Sequence, residues 1–177
     1  MNKFILSLLV CCVFAFAKAQ DRIFTKTATI EFKGSVPSFE PIEAVNKSGT
    51  VVLDTKGNLQ ALVLIKGFKF PVALMQEHFN ENYIESDTYP KGVLKGTLAN
   101  YAAVTTGNKA TYTFNGTMEL HGVTKKVSFP VTLTNKNGVA IDAAFNLNPT
   151  DYDITIPSIV RKKIANEIQV NVHGDLK

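Results

Sequence analysis

The chain has 177 residues, 45% of them hydrophobic, with 12 Phe, no Trp, two Cys and a formal net charge of +4. That length builds one domain around one core. The weak charge gives no case for a nucleic-acid binder that works through a basic surface, and two cysteines exclude a disulfide-stapled scaffold.

Residues 1–19 read as a secretory signal peptide. Lys3 gives the positive start, Phe4 to Ala17 the apolar run, and Ala17-Lys18-Ala19 the small residues of a cleavage site. The run is shorter than the ~20 apolar residues of a spanning helix. Cys11 and Cys12 fall inside it, and Val10 occupies the place where a lipid-modified cysteine has a small residue. Cleavage removes Lys3 and Lys18, takes the charge from +4 to +2, and leaves residues 20–177 as one exported domain without cysteine. Its core must hold it together, in the periplasm or outside the cell.

The remainder alternates with period two, apart from one segment. Phe24, Ala28, Ile30 and Phe32 share a face, with Lys26 a misfit placed at a rim. A loop containing Pro37 and Pro41 spans about 34–49. Gly57-Asn58 turns a hairpin that pairs Leu53 with Leu62 and Val51 with Leu64. Residues 72–84 break the alternation. Val72, Met75, Phe79 and Tyr83 recur at three- and four-residue steps, the stripe of an amphipathic helix, and Pro71 suits its first position. A strand over 91–99 follows.

The next stretch, 110–133, is the most determined. His121-Gly122 makes a two-residue turn if Leu120 pairs with Val123. Counting outward then pairs Gly116 with Val127, Phe114 with Phe129, Tyr112 with Val131 and Ala110 with Leu133, all on one face. His tolerates positive φ better than most residues and Gly does so freely. Turn geometry alone predicts that Gly122→Val destabilises the fold and that His121→Asn is tolerated. After a turn at Asn135 to Gly138, residues Val139, Ile141, Ala143, Phe145 and Leu147 alternate inward. Ile168, Val170, Val172 and Leu176 do the same near the end. About eight strands with short antiparallel links predict an all-β fold: an up-and-down eight-stranded barrel with one short helix between strands, its interior filled or holding one small ligand.

No arrangement of residues demands catalysis. His78 and Glu81 stand three apart on the helix, but two ligands make no metal site. His121 is explained by its turn, and His173 falls on the outward register. No Gly-x-Ser-x-Gly elbow is present. Asn46-Lys47-Ser48 and Asn115-Gly116-Thr117 match the glycosylation pattern without further support. Arg161-Lys162-Lys163 reads either as a contact for a phosphate headgroup or as a charged turn. The inward residues Phe68, Phe70, Met75, Phe79, Tyr83, Tyr112, Phe114, Met118, Phe129 and Phe145 are the candidate lining of a ligand cavity. The same residues also fit a packed core, and the sequence leaves both open.

Three segments carry a family resemblance. Glu77 to Tyr83 with Tyr89-Pro90 resembles a helix followed by a "KYP" turn. Gly116 to Lys125, continued by Val127 to Thr132, resembles a "G-x-L-x-x-H-G-V-T-K-x-V-x-x-P-V" hairpin. Phe145 to Asp153 resembles a closing "F-x-I-x-R-x-D-F" segment. Together they resemble the YceI-like family of lipocalin-like, polyisoprenoid-binding barrels. Asn148-Pro149 stands where the family has a basic residue, Tyr152 replaces a Phe, and the N-terminal third matches weakly. The resemblance implies a lipocalin-like barrel that binds a long amphiphile of isoprenoid or quinone type, without enzymatic activity or cofactor. Nucleic acid is not an expected partner, while transient membrane contact and a homodimer stay open. The alternative is an exported structural or interaction barrel with a filled core.

Overall fold

The computed structural model describes residues 21–36, 41–158 and 160–177. The predicted signal peptide, with Cys11 and Cys12, and Pro37 lie outside the described residues. The strands are β1 (Arg22–Ser35), β2 (Glu43–Asp54), β3 (Asn58–Leu64), β4 (Lys91–Leu98), β5 (Lys109–Leu120), β6 (Val123–Asn135), β7 (Val139–Leu147) and β8 (Ile164–Leu176). They form one closed barrel in sequence order, each antiparallel to its neighbours, with β8 returning to β1. The connection from β3 to β4 carries a 3-10 turn (Ile65–Gly67), helix α1 (Ala73–His78) and a π-helical turn (Phe79–Tyr83). A second 3-10 turn, Pro149–Tyr152, lies between β7 and β8.

The β5–β6 hairpin has the register that its turn dictates. Leu120 faces Val123, Phe114 faces Phe129 and Ala110 faces Leu133. His121 (φ 51°) and Gly122 (φ 74°) both take positive φ, which matches the strand twist in a two-residue hairpin.

Four expectations need correction. In β1 the pairing with β2 shifts between Thr25 and Ala28, where a bulge inserts one residue. Thr25 is therefore buried and Phe24 exposed, so Phe24 does not share the face of Ala28 and Ile30, and Lys26 is no misfit. The predicted loop ends earlier, because β2 begins at Glu43 and buries Ala44 and Asn46. In the β2–β3 hairpin Leu53 faces Leu59 and Val51 faces Ala61, which turns Leu62 and Leu64 outward. The cause is Asp54. Its carboxylate accepts from the Lys56 and Asn58 backbone N–H groups at 2.8 and 2.9 Å and from the Asn58 side chain at 2.6 Å, so the turn begins at Asp54 and closes tightly. Finally, α1 starts at Ala73 and gives way to the π turn at Phe79, rather than running unbroken over 72–84.

The barrel interior divides into two ends. One is filled by Leu53, Phe114, Leu133 and Leu176, all nearly fully buried, with Val51, Leu59 and Val131 at its boundary with the cavity. Both ends of the described chain reach this side, where Phe24 and Lys177 exchange backbone hydrogen bonds at 2.9 and 3.0 Å. Phe114 is 0% exposed. Its ring lies over the facing pair Gly96 and Gly116, and a Cβ on either glycine would come within 2.6 Å of the ring's Cζ. The Phe129 ring stacks on Phe114 at 5.0 Å and on Phe145 at 4.3 Å. This ladder of three rings separates the filled end from the other.

Two predictions follow from this packing. Phe114→Ala should lower unfolding stability by about 3–5 kcal/mol, because the closed site cannot collapse, and Phe114→Trp should also destabilise, since the two glycines leave no room. Denaturant unfolding checks both, and a loss under about 1 kcal/mol for both would contradict the filled end. The second concerns Asp54. Burial raises its pKa, but the hydrogen bonds from Asn58 and Lys56 outweigh burial and hold it below the ordinary 3.8. A carboxyl with a depressed native pKa stabilises fully above the unfolded value and loses that contribution as pH falls through the native value. Stability of the parent should therefore fall more steeply below about pH 4 than that of Asp54→Asn. Denaturant midpoints between pH 5 and 2.5 test this, and parallel curves would reject it.

Candidate functional site: an apolar cavity at one end of the barrel

Above the ring ladder the barrel holds a cavity of about 470 Å³. The strands supply its walls through their inward residues, among them Ile30, Phe32, Ala61, Leu94, Met118, Phe129, Ala143, Phe145 and Val170. Along β8 the lining runs from Ile164 to Val172, about 26 Å of strand at ~3.3 Å per residue. At a strand tilt of about 40° this gives a depth of roughly 20 Å.

The roof comes from the β3–β4 connection. Residues 68–70 are extended and bridge to β2, with Val45 and Lys69 exchanging backbone hydrogen bonds at 3.1 and 2.9 Å. Alternation then turns Phe68 and Phe70 to the same side. Both pack on Phe32, at 5.2 and 5.6 Å, and Phe79 joins them at 5.4 Å from Phe32 and 5.0 Å from Phe70. Met75, Phe79 and Tyr83 follow at four-residue steps. In a regular α-helix such steps drift by ~40° each around the axis. The wider π turn, closed by the Ile84 N–H on the Phe79 carbonyl at 3.0 Å, offsets that drift and keeps Tyr83 on the cavity side.

Asn46 anchors this roof. It is 0% exposed. Its amide donates to the Leu64 carbonyl at 2.9 Å, and its oxygen accepts from the Ser48 N–H at 2.8 Å and hydroxyl at 2.7 Å. Gly67 passes so close that a Cβ there would lie 2.4 Å from the Asn46 Nδ2. The matched glycosylation pattern at Asn46 thus falls on a side chain sealed inside the fold.

Eight of the ten candidate residues border the cavity: Phe68, Phe70, Met75, Phe79, Tyr83, Met118, Phe129 and Phe145. Tyr112 and Phe114 do not. Both lie toward the filled end, where the Tyr112 hydroxyl donates to the Ala102 carbonyl and its ring packs on Tyr101 at 5.5 Å. The lining also takes in Ile154, Ile156 and Val160 from the irregular β7–β8 connection, and Ile84 after the π turn. Their segments have no periodicity from which to read an inward face. The lining includes few polar side chains. His78, Tyr83 and Lys163 are among them, and Glu119 joins from an outward register. Arg161 instead bonds the Ile156 carbonyl at 3.3 Å. Glu81 is exposed, and no cluster of three metal-ligating side chains occurs among the described residues.

Outside the cavity, His173 bonds Asp142 at 2.7 Å on the outer face, which raises its pKa against a smaller opposing effect of burial. His121 does more than turn a hairpin. Its side chain is 9% exposed, its Nδ1 lies 2.9 Å from the Tyr152 carbonyl, and its ring meets Tyr89 edge-on at 4.4 Å. A Cβ on Gly122 would lie 2.7 Å from the Tyr89 ring. Burial, then the charge of Asp151, pushes the Tyr152 phenol up to about 12. The three segments that carry the family resemblance thus meet at one place beside the cavity.

A family model described as the YceI-like domain matches residues 16–176. The chain belongs to the YceI-like family. Solved structures share the barrel. A polyisoprenoid binding domain from Saccharophagus degradans, implicated in plant cell wall breakdown, is 14% identical with a TM-score of 0.74, over 89% of this chain and 97% of that one. BcnA of Burkholderia cenocepacia is 17% identical with a TM-score of 0.67, over 84% and 94%. A Campylobacter jejuni YCEI protein is 13% identical with a TM-score of 0.53, over 73% and 81%. At these identities the likeness is one of fold. No curated protein matches this YceI-like chain in sequence.

The anchoring of the roof gives a prediction. Asn46→Leu strands the Leu64 carbonyl and both Ser48 groups, and should cost about 1–3 kcal/mol. Gly67→Ala should destabilise through the same contact. Thermal or denaturant unfolding checks both, and parent-like stability in both variants would show that the roof does not depend on Asn46.

Proposed function

We propose that this YceI-like barrel is an exported carrier that holds one long amphiphilic lipid of isoprenoid or quinone type in its cavity. The observation that carries this reading is an almost wholly hydrocarbon-lined hollow of about 470 Å³ inside a closed barrel. Ligand pockets commonly fall between about 300 and 1,000 Å³. The polyisoprenoid-binding neighbour supports the chemical class, and the residues of the N-terminal segment support export. In this role Phe68, Phe70, Met75, Phe79, Tyr83, Met118, Phe129 and Phe145 contact the tail, while His78 and Lys163 meet the head at the mouth.

The energetics suit a carrier. Burying about 20 methylene-sized groups yields roughly 16 kcal/mol gross, and association with ordering costs about 4–15 kcal/mol. A long tail binds usefully through burial alone, and it leaves again without a bond being broken. No catalytic step is part of this proposal. The alternative of a filled structural barrel describes the Phe114 end and not the end under the roof.

Two experiments test the proposal. Organic extraction of the protein isolated from its native host, followed by mass spectrometry, should show a lipid enriched over an unrelated exported protein. Ala143 borders the cavity on β7, so Ala143→Phe should fill part of it. The variant should keep near-native stability and bind a lipid probe at least tenfold more weakly, because a ring replaces buried tail contacts worth about 1.4 kcal/mol or more. Unchanged binding together with a lipid-free extract would overturn the proposal.

A further inference from the structure

Three buried side-chain polar atoms lack a hydrogen-bond partner among the described residues: Asn80 Oδ1, Ser86 Oγ and His121 Nε2. Asn80 and Ser86 belong to the roof segment, and His121 to the β5–β6 turn that meets Glu85 beside it. The Ser86 N–H donates to the Asn80 carbonyl at 2.8 Å, and Glu85 beside it approaches His121.

Of the three, His121 carries the one ionisable side chain. A carbonyl only accepts, so the 2.9 Å contact with the Tyr152 oxygen places a hydrogen on Nδ1. In the neutral ring Nε2 is then a bare lone pair. It lies 3.7 Å from Glu85 Oε1, another acceptor, and the two cannot bond. One proton on Nε2 turns that contact into an ion pair, and a small approach of the half-exposed Glu85 side chain closes it into a charged hydrogen bond. The ionisable groups that face the ring are Glu85 and Tyr89 from the roof segment and Tyr152 from the 3-10 turn, where Asp151 and Asp153 flank it. Glu85 is the carboxylate within reach of Nε2.

The contact sits where it matters mechanically. α1 and the π turn bury none of their residues completely. Glu85 immediately follows that segment and holds a φ of 46°, a sharp change of direction for a non-glycine residue.

We propose that His121 and Glu85 form a proton-operated clasp on the cavity roof. Proton uptake at Nε2 pins the trailing end of the roof to the β5–β6 turn, and proton loss frees it. Because the clasped form holds the extra proton, acid tightens the roof and base loosens it. The clasp stands on this geometry and not on the identity of any ligand.

Hydrogen exchange on the full chain reads the roof directly. The amides of Ile84, Ser86, Thr88 and Tyr89 bond to the carbonyls of Phe79, Asn80, Glu85 and Glu85, so they report its opening. After correction for the intrinsic pH dependence of exchange, their protection should be roughly three- to tenfold higher at pH 5.5 than at pH 8. Glu85→Gln offers either a donor or an acceptor to Nε2, so its protection should be high at both pH values. Glu85→Ala should be low at both. NMR of the His121 ring should show a hydrogen on Nδ1 in both forms and a second, on Nε2, in the clasped form alone. An imidazole still neutral at pH 5, or the same pH dependence in all three proteins, would overturn the clasp.

Discussion

Backbone pairing between β1 and β8 is the constraint on which the structure rests. Thr29 to Lys33 face His173 to Gln169, and Phe24 and Lys177 complete the seam. The closed sheet has no free edge, so the wall satisfies its own backbone groups. Two packed sheets would need a filled interface to stay together. A closed wall does not, which lets the interior be solid at one end and hollow at the other.

The solid end lets the hollow one exist. A cavity forfeits the dispersion contacts that its lining would make with side chains across it. The barrel concentrates its best-packed residues on the opposite side, where Phe114 fits against two glycines whose backbones approach too closely for any side chain. The ring ladder from Phe114 through Phe129 to Phe145 belongs to both halves. Its lower ring is sealed and its upper two face the cavity, so it forms part of the cavity floor.

Period-two alternation made the strands, their number and the β5–β6 register readable in advance. It reports which face a residue occupies but not its height in the barrel. Tyr112 and Phe114 share a face with Met118, yet they lie below the cavity floor and Met118 beside the cavity. Bulges are equally invisible to it, which is why Lys26 looked anomalous until an inserted residue in β1 changed the phase. The β2–β3 register depended on the Asp54 carboxylate organising a turn, a contact that residue types alone leave undetermined. Ile154, Ile156 and Val160 lie on irregular backbone, where only the finished fold decides which way a side chain points. The clustering of the family segments around His121 is likewise a fact of three dimensions, since Tyr89, His121 and Tyr152 are far apart in the chain.

The meeting of Phe24 and Lys177 at the solid side has a practical consequence for orientation. A fusion partner, affinity handle or surface linkage joined after Lys177 emerges at the base of the barrel and leaves the roof facing outward. Molecules tethered this way on a sensor or bead present every mouth to the solution, with the attachment removed from the path of anything that enters. Attachment through cysteines introduced at residue 66 or 91, beside the roof, would instead turn the roofed end toward the support. The architecture thus separates the seam that offers an attachment point from the end that holds the cavity.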